Sequence, residues 1–575
     1  MKSIFTKKLS IILLFFVTIL IISCVTSQPS KPNDISKNFT NSNNSEIFLD
    51  SSQSEVKTER PNTTTSKIIS KEDLTKLYWS ENKVELNPKY SSRTESLDNI
   101  FNPDALGQIV LVFDRSEWNK HLDYCDLNIN HEESVVAKGF YFTKDNKEWF
   151  FKDIGFRIRG NTSRRRPQKG NGMNKNDYVQ AHFSLDFEEW LTDEQEDAGI
   201  EKKLADCMKG LILKRFKDDG TYSREIYGYN LFRQNGIWIA PRAAYTRLII
   251  QIQDDLDLDK DGNTTEFESI DYGIYGMIEE IKKQFLKERT SKEGGGYLSS
   301  NKGNLWKCLF KGGSGTDFVL SHIDSMGEEY SKPIKNKKGK IIDFSVRSYS
   351  YDYKGDNEFF EGENQIKGFM YELNNLPDCT DGKNDEEDKL VIKKFYTQRM
   401  AGDLFLRTYA INVILGMWDD YWINKNNFYF YFDKDGKAYF IPYDYDNVLG
   451  VSHLGIDAAR QNPLEWGSLD SRNRPLIQKI LQVPEFMDLY RRYLIQYSSE
   501  ESFFDDDKSI EQIKKWHKMI EPFINSSNLI YRDTTNEFID KPASWGDTYK
   551  PYTLYTEGKF NYFTIRQETI KNFAK

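Results

Sequence analysis

One stretch of sequence, residues 418 to 450, constrains the fold of this chain more than any other. It is WDDYWINKNNFYFYFDKDGKAYFIPYDYDNVLG, in which an aromatic run at 428–432 and a second run at 438–443 predict two strands. The Asp-Lys-Asp-Gly sequence between them predicts a hairpin turn, because Asp and Gly tolerate the left-handed backbone that such turns require. A hairpin returns the chain to its starting point, so the carboxylates after the second strand are expected beside Asp419.

The two ends of this predicted hairpin carry oxygen ligands. Asp419 and Asn424 lie five residues apart before the first strand, Asn427 adjoins it, and Asp444 and Asp446 follow the second strand. In-line phosphoryl transfer needs a carboxylate near the attacking hydroxyl and oxygen ligands for magnesium around the phosphates. Protein kinases provide these with an Asp, an Asn five residues later and a metal-binding Asp beyond a hairpin. A solvated acidic loop is the alternative explanation of the same spacing.

Composition places the chain among large, soluble-surfaced proteins. Its 575 residues are 38% hydrophobic, which is enough for a large core in two lobes. The net charge of -9 argues against a nucleic-acid-binding surface. The six histidines are scattered, so histidine-based metal or triad chemistry is not expected, and the wide spacing of the cysteines excludes a CxxC zinc site.

The N-terminus has the pattern of an export signal. Residues 1–24 begin with lysines and continue as an apolar run that is too short to span a membrane. The sequence Ile-Ile-Ser-Cys resembles a bacterial lipobox, which makes Cys24 the expected lipidation site; secretory cleavage with an unmodified cysteine is the alternative. Residues 25–75 are rich in Ser, Thr, Asn and Lys, which predicts a disordered linker. We therefore expect a membrane-anchored bacterial lipoprotein that lies outside the cytoplasm, in the periplasm or at the cell surface.

Two further segments carry groups suited to phosphate binding. Strands are predicted at 147–159 and 182–187, and a turn of Gly, Asn, hydroxyl and Arg residues between them could cradle phosphates. A strand at 211–214 ends in Lys214, and a helix predicted at 224–235, with Ser223 as its cap, places Glu225 in its first turn. A strand lysine paired with a helix glutamate holds phosphates in kinases. A solvated basic turn and a surface ion pair are the alternatives.

Residues 257–268 fit the twelve-residue calcium-loop pattern D-x-D-x-D-G-x5-E. A strand predicted at 245–253 precedes this segment, whereas a helix precedes most such loops, and Thr264 occupies a usually aliphatic position. The acidic tip of a hairpin is therefore the alternative. The possible calcium ligands are Asp257, Asp259, Asp261 and Glu268.

A long helix is predicted from 391 to 417, because apolar residues recur there every three or four positions and form a broad face. This helix would lead directly into Asp419. Further helices are predicted around 475–480 and 486–494.

Taken together, these blocks resemble the CotH kinase family. The matching segments cover most of residues 106 to 500 in the family's order: FRIRGNTS, YSREIYGYNLFRQNGIWIAPRAAYTRLII, YGIYGMIEEIKKQFL, NLWK, WDDYWINKNNFYFYFD and IPYDYDNVLG. The resemblance implies an α+β, atypical protein-kinase-like fold with two lobes, a β-rich N-lobe at 76–280 and a mainly helical C-lobe at 281–575. It implies ATP and Mg or Mn as cofactors, with calcium as a further possibility from the loop above, and a protein substrate phosphorylated on Ser or Thr.

The resemblance also assigns roles to residues. Asp419 takes the catalytic aspartate role together with Asn424. The metal would be held by Asn424 or Asn427 with Asp444 and Asp446, and Arg159, Gly160 and Asn161 would belong to the phosphate-facing loop. Together with the segments described above, the expected cofactor-binding residues are Arg159, Gly160, Asn161, Ser163, Lys214, Glu225 and Glu279.

Two departures from the family pattern affect these roles. Many members have a lysine pair before the strand at 182–187, where this chain has Gln180 and Ala181, so Lys214 is the substitute candidate for the phosphate-binding lysine. Asn426 stands where relatives often have histidine. The alternative function comes from another class: a catalytically inactive surface lipoprotein that acts as an adhesin, which the scarcity of ATP outside the cytoplasm would favour.

Overall fold

The computed structural model describes residues 93–170, 172, 175–204, 208–253, 267–290, 298–311, 315–379, 386–453, 457–466, 473–524, 537–541, 544–545 and 552–575. The chain divides into Met1–Thr58 and Glu59–Lys575, and every described residue belongs to the second unit. The predicted signal peptide with Cys24, the linker, and Asp257, Asp259 and Asp261 lie outside the described residues. Within the described part, no helix is long and apolar enough to cross a membrane.

Seven strands in the first half form a closed β-barrel. They are β1 (Gly107–Asp114), β2 (Val135–Lys144), β3 (Lys147–Arg159), β4 (His182–Asp186), β5 (Gly210–Lys214), β6 (Ala243–Gln253) and β7 (Phe267–Glu279). Their order around the barrel is β1-β2-β3-β4-β5-β7-β6. Strand β1 closes the ring by pairing in parallel with β6, and Gly107 lies opposite Thr246.

The barrel encloses an aromatic and aliphatic core. Along β1, Ile109, Leu111 and Phe113 belong to this core, while Val110 and Val112 join a smaller apolar cluster. Successive side chains of a strand point to opposite faces, so β1 is buried on both sides. Burial on both sides explains why its sequence is an unbroken apolar run without polar alternation.

Among the described residues, five helices accompany the barrel: α1 (Arg93–Ile100), α2 (Arg115–Leu127), α3 (Asp193–Asp197), α4 (Arg224–Gln234) and α5 (Lys283–Thr290). Helix α4 is buried on nearly all sides and begins near the end of β5. Its predicted cap is wrong: the Ser223 side chain does not cap the helix, and Asp219 accepts the N–H groups of Ser223 and Arg224 instead. Asp219 is also paired with the Arg224 guanidinium.

A second sheet follows in the other half of the molecule. Its strands are β8 (Asn304–Cys308), β9 (Met326–Gly327), β12 (Tyr351–Tyr353), β13 (Phe428–Phe432) and β14 (Ala438–Pro442), in the order β14-β13-β8-β12-β9. Two small two-stranded sheets are formed by β10 (Tyr330–Lys335) with β11 (Ile341–Arg347), and by β15 (Ser452–His453) with β16 (Ser544–Trp545).

In the part of this half that the structure describes there are seven helices: α6 (Phe359–Asn374), α7 (Glu386–Lys394), α8 (Gly402–Ile414), α9 (Pro475–Leu481), α10 (Pro484–Tyr497), α11 (Asp506–Ile524) and α12 (Tyr562–Phe573). They share one large core with the second sheet and with α4. The protein is therefore α+β, as predicted, with strands concentrated towards the N-terminal half and helices towards the C-terminal half.

The predicted single helix at 391–417 is wrong. Helix α7 ends at Lys394, a π-helical turn spans Phe395–Arg399, and Met400 is extended and pairs with Ala438 of β14. The Ala401 N–H then donates to the Ala438 carbonyl at 2.9 Å. The break arises because the chain here forms hydrogen bonds with the hairpin, a partner that helical periodicity cannot reveal.

The predicted hairpin is confirmed, with strands at Phe428–Phe432 and Ala438–Pro442 in antiparallel register. Gly436 in its turn has a φ of 77°, a conformation that favours glycine. The three cysteines in the described part, Cys125, Cys308 and Cys379, are free thiols buried in the protein.

Candidate active site

A cleft of about 1180 Å³ lies between the barrel and the second sheet. Its walls combine the end of β3 and the turn that follows it, the end of β5, strand β8, and both ends of the β13–β14 hairpin. Most of the predicted site residues line it: Arg159, Gly160, Asn161, Ser163, Lys214, Asp419, Asn424, Asn427, Asp444 and Asp446. The hairpin thus brings its two ends to one place, as the sequence predicted.

A cluster of three carboxylates surrounds Lys214 at one side of the cleft. The Lys214 amine lies 2.8 Å from Glu225 Oε1 and 3.5 Å from Asp446 Oδ2, and it also contacts Asp444 Oδ1. One oxygen from each of Glu225, Asp444 and Asp446 can be chosen so that all three lie within 4.8 Å of one another. The cluster therefore includes the predicted strand-lysine and helix-glutamate pair and joins it to the far end of the hairpin.

Electrostatics make this cluster receptive to a cation. Burial raises the pKa of Glu225 to about 8 and that of Asp446 to about 7, and Asp444 adds to both shifts. Burial opposes the charge on Lys214, but the three carboxylates hold its pKa well above the ordinary value. Lys214 in turn keeps the pKa of Asp444 below its ordinary value despite burial. The raised pKa values of Glu225 and Asp446 show that ionising all three carboxyl groups beside one ammonium is unfavourable, so an added cation would favour their ionised forms and be stabilised here.

Local backbone geometry directs Asp444 into the cluster. Its φ is 61°, in the left-handed region, and its N–H donates to the Tyr229 hydroxyl of α4 at 2.9 Å. An aspartate tolerates this conformation better than most residues do. The end of β14 is thereby fixed against α4, the helix that also supplies Glu225.

Asp419 lines the same cleft, in a cage of side-chain amides. Asn424 donates to its Oδ1 at 2.7 Å and Asn426 at 3.3 Å, while Asn427 donates to its Oδ2 at 2.9 Å and Asn447 at 3.3 Å. Burial raises the pKa of Asp419, and the amide hydrogen bonds oppose that rise. The cage keeps the carboxylate oriented and favours its ionised form.

The neighbouring Asp420 is directed away from the cleft. It is buried, accepts the Asn412 amide at 2.7 Å and the Ile423 N–H at 2.8 Å, and burial raises its pKa to about 7. Its contacts anchor the loop between α8 and β13. Of these two adjacent aspartates, Asp419 lines the cleft and Asp420 does not.

The turn after β3 forms the opposite wall. The Arg159 guanidinium donates to the Tyr443 hydroxyl at the end of the hairpin. Gly160 has a φ of 117°, and a Cβ there would lie 2.5 Å from Ser163 Oγ, so the turn needs glycine. The Lys311 amine donates to Asn161 Oδ1 at 2.7 Å, which ties this turn to the loop that follows β8.

Comparison with known protein families identifies the family to which this chain belongs. A family model described as CotH kinase protein matches residues 156–553, which is most of the chain. This chain belongs to the CotH kinase family. The match includes the turn after β3, the Lys214–Glu225 pair, Asp419 and the whole hairpin. A search of curated proteins returned no match.

Membership in the CotH family makes this a kinase-like protein and confirms the resemblance read from the sequence blocks. It agrees with the geometry at two points. The acidic residues at the two ends of the hairpin converge on one cleft, and a strand lysine pairs with a helix glutamate beside them.

Two predicted site residues have other partners. Glu279 is buried in a cluster with Arg289 and Arg242, which hold its pKa at about 2 despite burial, while its neighbour Glu280 lines the cleft. Glu268, the last residue of the predicted calcium loop, lies in β7 and pairs with Arg115 at 3.1 Å. Because the other three calcium ligands lie outside the described residues, calcium binding stays a prediction.

Sequence reasoning missed several residues that line the cleft, among them Lys307, Tyr443 and Asn447. Lys307 lies in the NLWK block, but nothing in that block predicts that β8 would pair with β13 and place Tyr429 opposite Lys307. Asn447 directly follows Asp446, so its position beyond the hairpin was a usable signal.

Proposed function

We propose that this protein is a metal-dependent protein kinase of the CotH type, which transfers the γ-phosphate of ATP to Ser or Thr hydroxyls of a protein substrate. The observation that carries the proposal is the single cleft that contains both the caged Asp419 and the Lys214 cluster. Phosphoryl transfer depends on positioning and on charge stabilisation more than on covalent chemistry. The cleft contains a carboxylate that could position the acceptor hydroxyl and charged groups that could stabilise the phosphates.

Asp419 is the residue proposed to accept the acceptor hydroxyl's hydrogen bond. Its oxygens are held by amides that cannot accept a proton from it in return, so the carboxylate is fixed in position yet remains a base. A fixed carboxylate would orient the hydroxyl and take its proton as the bond to phosphorus forms. Asn424 supports this role by direct donation to Oδ1.

Glu225, Asp444 and Asp446 are the residues proposed to hold the divalent cation. Carboxylate oxygens are the preferred ligands of Mg and Mn, and these three can approach one another within 4.8 Å. When bound, the cation would neutralise charge on the phosphates. The amide oxygens of Asn424 and Asn427 remain candidate ligands, because their N–H groups are directed at Asp419.

The architecture supports a two-lobed arrangement. The barrel with α4 would be the N-lobe at 76–280, the second sheet and remaining helices would be the C-lobe at 281–575, and the cleft lies between them. The turn carrying Gly160, Asn161 and Ser163 would then face the nucleotide from the N-lobe side.

A lipid anchor at Cys24 is proposed from the lipobox and the apolar segment before it. It would hold the kinase on the outer side of the membrane, where it would meet exported protein substrates. Nucleotide supply in that compartment is the reason that the adhesin alternative needs a direct test.

Nucleotide binding is the first test of this proposal. We expect ATP with Mg or Mn to raise the melting temperature of the full chain, because a ligand that binds only the folded state stabilises it by about 2.7 kcal/mol at a hundred times its dissociation constant. Asp444→Asn should weaken the part of the shift that needs metal. A chain that shows no shift with any nucleotide and metal would support the adhesin.

A further inference from the structure

The cations that line the cleft fall into two groups. Most have carboxylate partners: Arg157 and Arg164 with Glu132, Lys214 with its three carboxylates, Lys217 with Asp218, Lys282 with Asp186 and Glu280, Lys283 with Asp356, and Lys354 with Glu329 and Asp352. Among the described residues, Arg159, Lys307 and Lys311 have no such partner. These three are the cations of the cleft that no described carboxylate holds in an ion pair, although Glu329 acts electrostatically on Lys307 and Lys311 and Asp444 acts on Arg159.

Lys307 is the central member of this group. It lies in β8 between Tyr429 of β13 and Asp352 of β12, and its amine is 5.9 Å from the centre of the Tyr443 ring. The nearest acidic group in the register, Asp352, is occupied by Lys354 at 2.8 Å. Glu329 also lines the cleft and favours the charged form of Lys307, but among the described residues no carboxylate forms an ion pair with its amine, which has an aromatic ring beside it.

Arg159 approaches the same place from the barrel. One of its terminal nitrogens donates to the Tyr443 hydroxyl, while the other, Nη1, is buried and has no hydrogen-bond partner. A buried guanidinium N–H without an acceptor costs free energy in the absence of a ligand. Arg159 and Lys307 thus both lie near Tyr443, the residue that precedes Asp444 in the chain.

The third cation extends the group along the cleft. Lys311 donates to Asn161 Oδ1, an uncharged acceptor, so this hydrogen bond does not neutralise the positive charge of the Lys311 amine. Burial lowers the pKa of Lys307 to about 8; Glu329 opposes this shift and Arg159 adds to it. Arg159 and Lys307 repel each other, and the negative charge of a phosphate group between them would offset that repulsion.

We propose that Arg159, Lys307 and Lys311 form a subsite for the polyphosphate chain of the nucleotide, and that Lys214 is the counter-ion of the acidic cluster and not the phosphate-binding lysine. This assignment rests on the proposed kinase function. Many family members have a lysine pair where this chain has Gln180 and Ala181. In this assignment Lys307, from the second sheet, takes the phosphate-binding role instead. Arginine and lysine together suit phosphate, since the guanidinium binds it in a fork and the ammonium as a point charge.

The test compares three ligands on the full chain by calorimetry: ATP, inorganic tripolyphosphate and adenosine. Lys307→Met should weaken binding of ATP and of tripolyphosphate at least about tenfold, because hydrogen bonds to charged groups contribute at least that much. Adenosine binding should not change. The matched control is Lys335→Met, the same substitution at an exposed lysine of β10 outside the cleft.

A second variant keeps the test informative if Lys307→Met fails to fold. Lys307→Arg keeps the charge and should retain most of the tripolyphosphate affinity, and Lys311→Met should lower it by a smaller factor. If Lys307→Met folds and binds tripolyphosphate like the parent chain, the subsite is overturned even where phosphate transfer is observed. Binding of both ATP and tripolyphosphate, weakened by Lys307→Met but without phosphate transfer, would retain the subsite and defeat the kinase; binding of tripolyphosphate without ATP would overturn the nucleotide subsite. A parent chain that binds neither anion overturns the subsite as well.

Discussion

At the scale of single residues, the amides around Asp419 are the feature that separates this cleft from an acidic surface loop. Each carboxylate oxygen receives two donors, and all four come from asparagines. Asn427 is held for this task with a φ of 59°, a backbone conformation that asparagine adopts more readily than most residues. A loop that merely faced water would have no need of such convergence.

The amide cage makes a prediction about pH. Burial raises the pKa of Asp419 and the Asn424 hydrogen bond lowers it, so Asn424→Ala should raise it further. If the ionised carboxylate is the active form, phosphate transfer falls as pH falls through this pKa. The acid limb of the pH–rate profile should therefore move to higher pH in the variant.

The matched control is Asn230→Ala, which removes an amide that donates to the Ile226 carbonyl of α4 and leaves Asp419 untouched. Its acid limb should coincide with that of the parent. A loss of rate in Asn424→Ala at all pH values, with an unmoved acid limb, would show that the amide acts only on geometry.

At the scale of elements, the local pieces of the fold follow from the sequence and the non-local pieces do not. Strands β3, β5 and β13 were predicted to within a residue, because apolar runs and turn residues mark them. The closure of the barrel was not predicted, since it pairs Gly107 with Thr246 across most of the N-terminal half. Lys307 was missed for the same reason.

The candidate site shows the same division. Asp419, Asp444 and Asp446 could be predicted to meet because one hairpin connects them. The buried contacts of Glu279 with Arg289 and Arg242 could not be predicted, because the sequence gives no sign of which arginine approaches a strand glutamate.

The break between α7 and α8 gives a prediction at this scale. A Cβ at Gly402 would lie 2.4 Å from the Tyr396 carbonyl oxygen and 2.8 Å from its Cβ. Gly402→Ala should therefore lower the free energy of unfolding by about 1–3 kcal/mol, the usual cost of overpacking. Chemical denaturation measures this directly.

Gly368→Ala is its control, because Gly368 lies inside helix α6 with no atom within 4 Å of the position that a Cβ would occupy. There the change should stabilise the protein by up to about 1 kcal/mol, through helix propensity. Equal effects at the two glycines would contradict the close packing described at the break.

At the scale of the whole molecule, a barrel and a helix-rich half enclose one cleft whose walls both contribute charged groups. The barrel supplies Arg159 and Lys214, and the second sheet with its hairpin supplies Lys307, Asp419 and Asp444. No part of the site is complete on one side alone. Function therefore requires both halves to be folded together.

The proposed anchor gives a prediction at this scale. Cys24→Ser should move the protein from the membrane fraction to the soluble fraction, because stable anchoring takes more than one acyl chain and the cysteine would carry them. Ser27→Ala, three residues further along, is the control and should stay with the membrane. Fractionation followed by immunoblotting is the measurement, and retention of the Cys24 variant with unaltered processing would refute the anchor.

The most direct test of the central claim is phosphate transfer from radiolabelled ATP, with Mg or Mn, to the protein itself and to a panel of exported proteins. Asp419→Asn keeps the size of the side chain and removes its charge, so transfer should fall at least about a hundredfold. Nucleotide binding should persist in that variant and weaken in Asp444→Asn. Asp435→Asn, at the exposed turn of the same hairpin, should transfer phosphate like the parent. A parent chain that labels nothing, or an Asp419→Asn variant as active as the parent, would contradict the assignment of this cleft as a kinase active site.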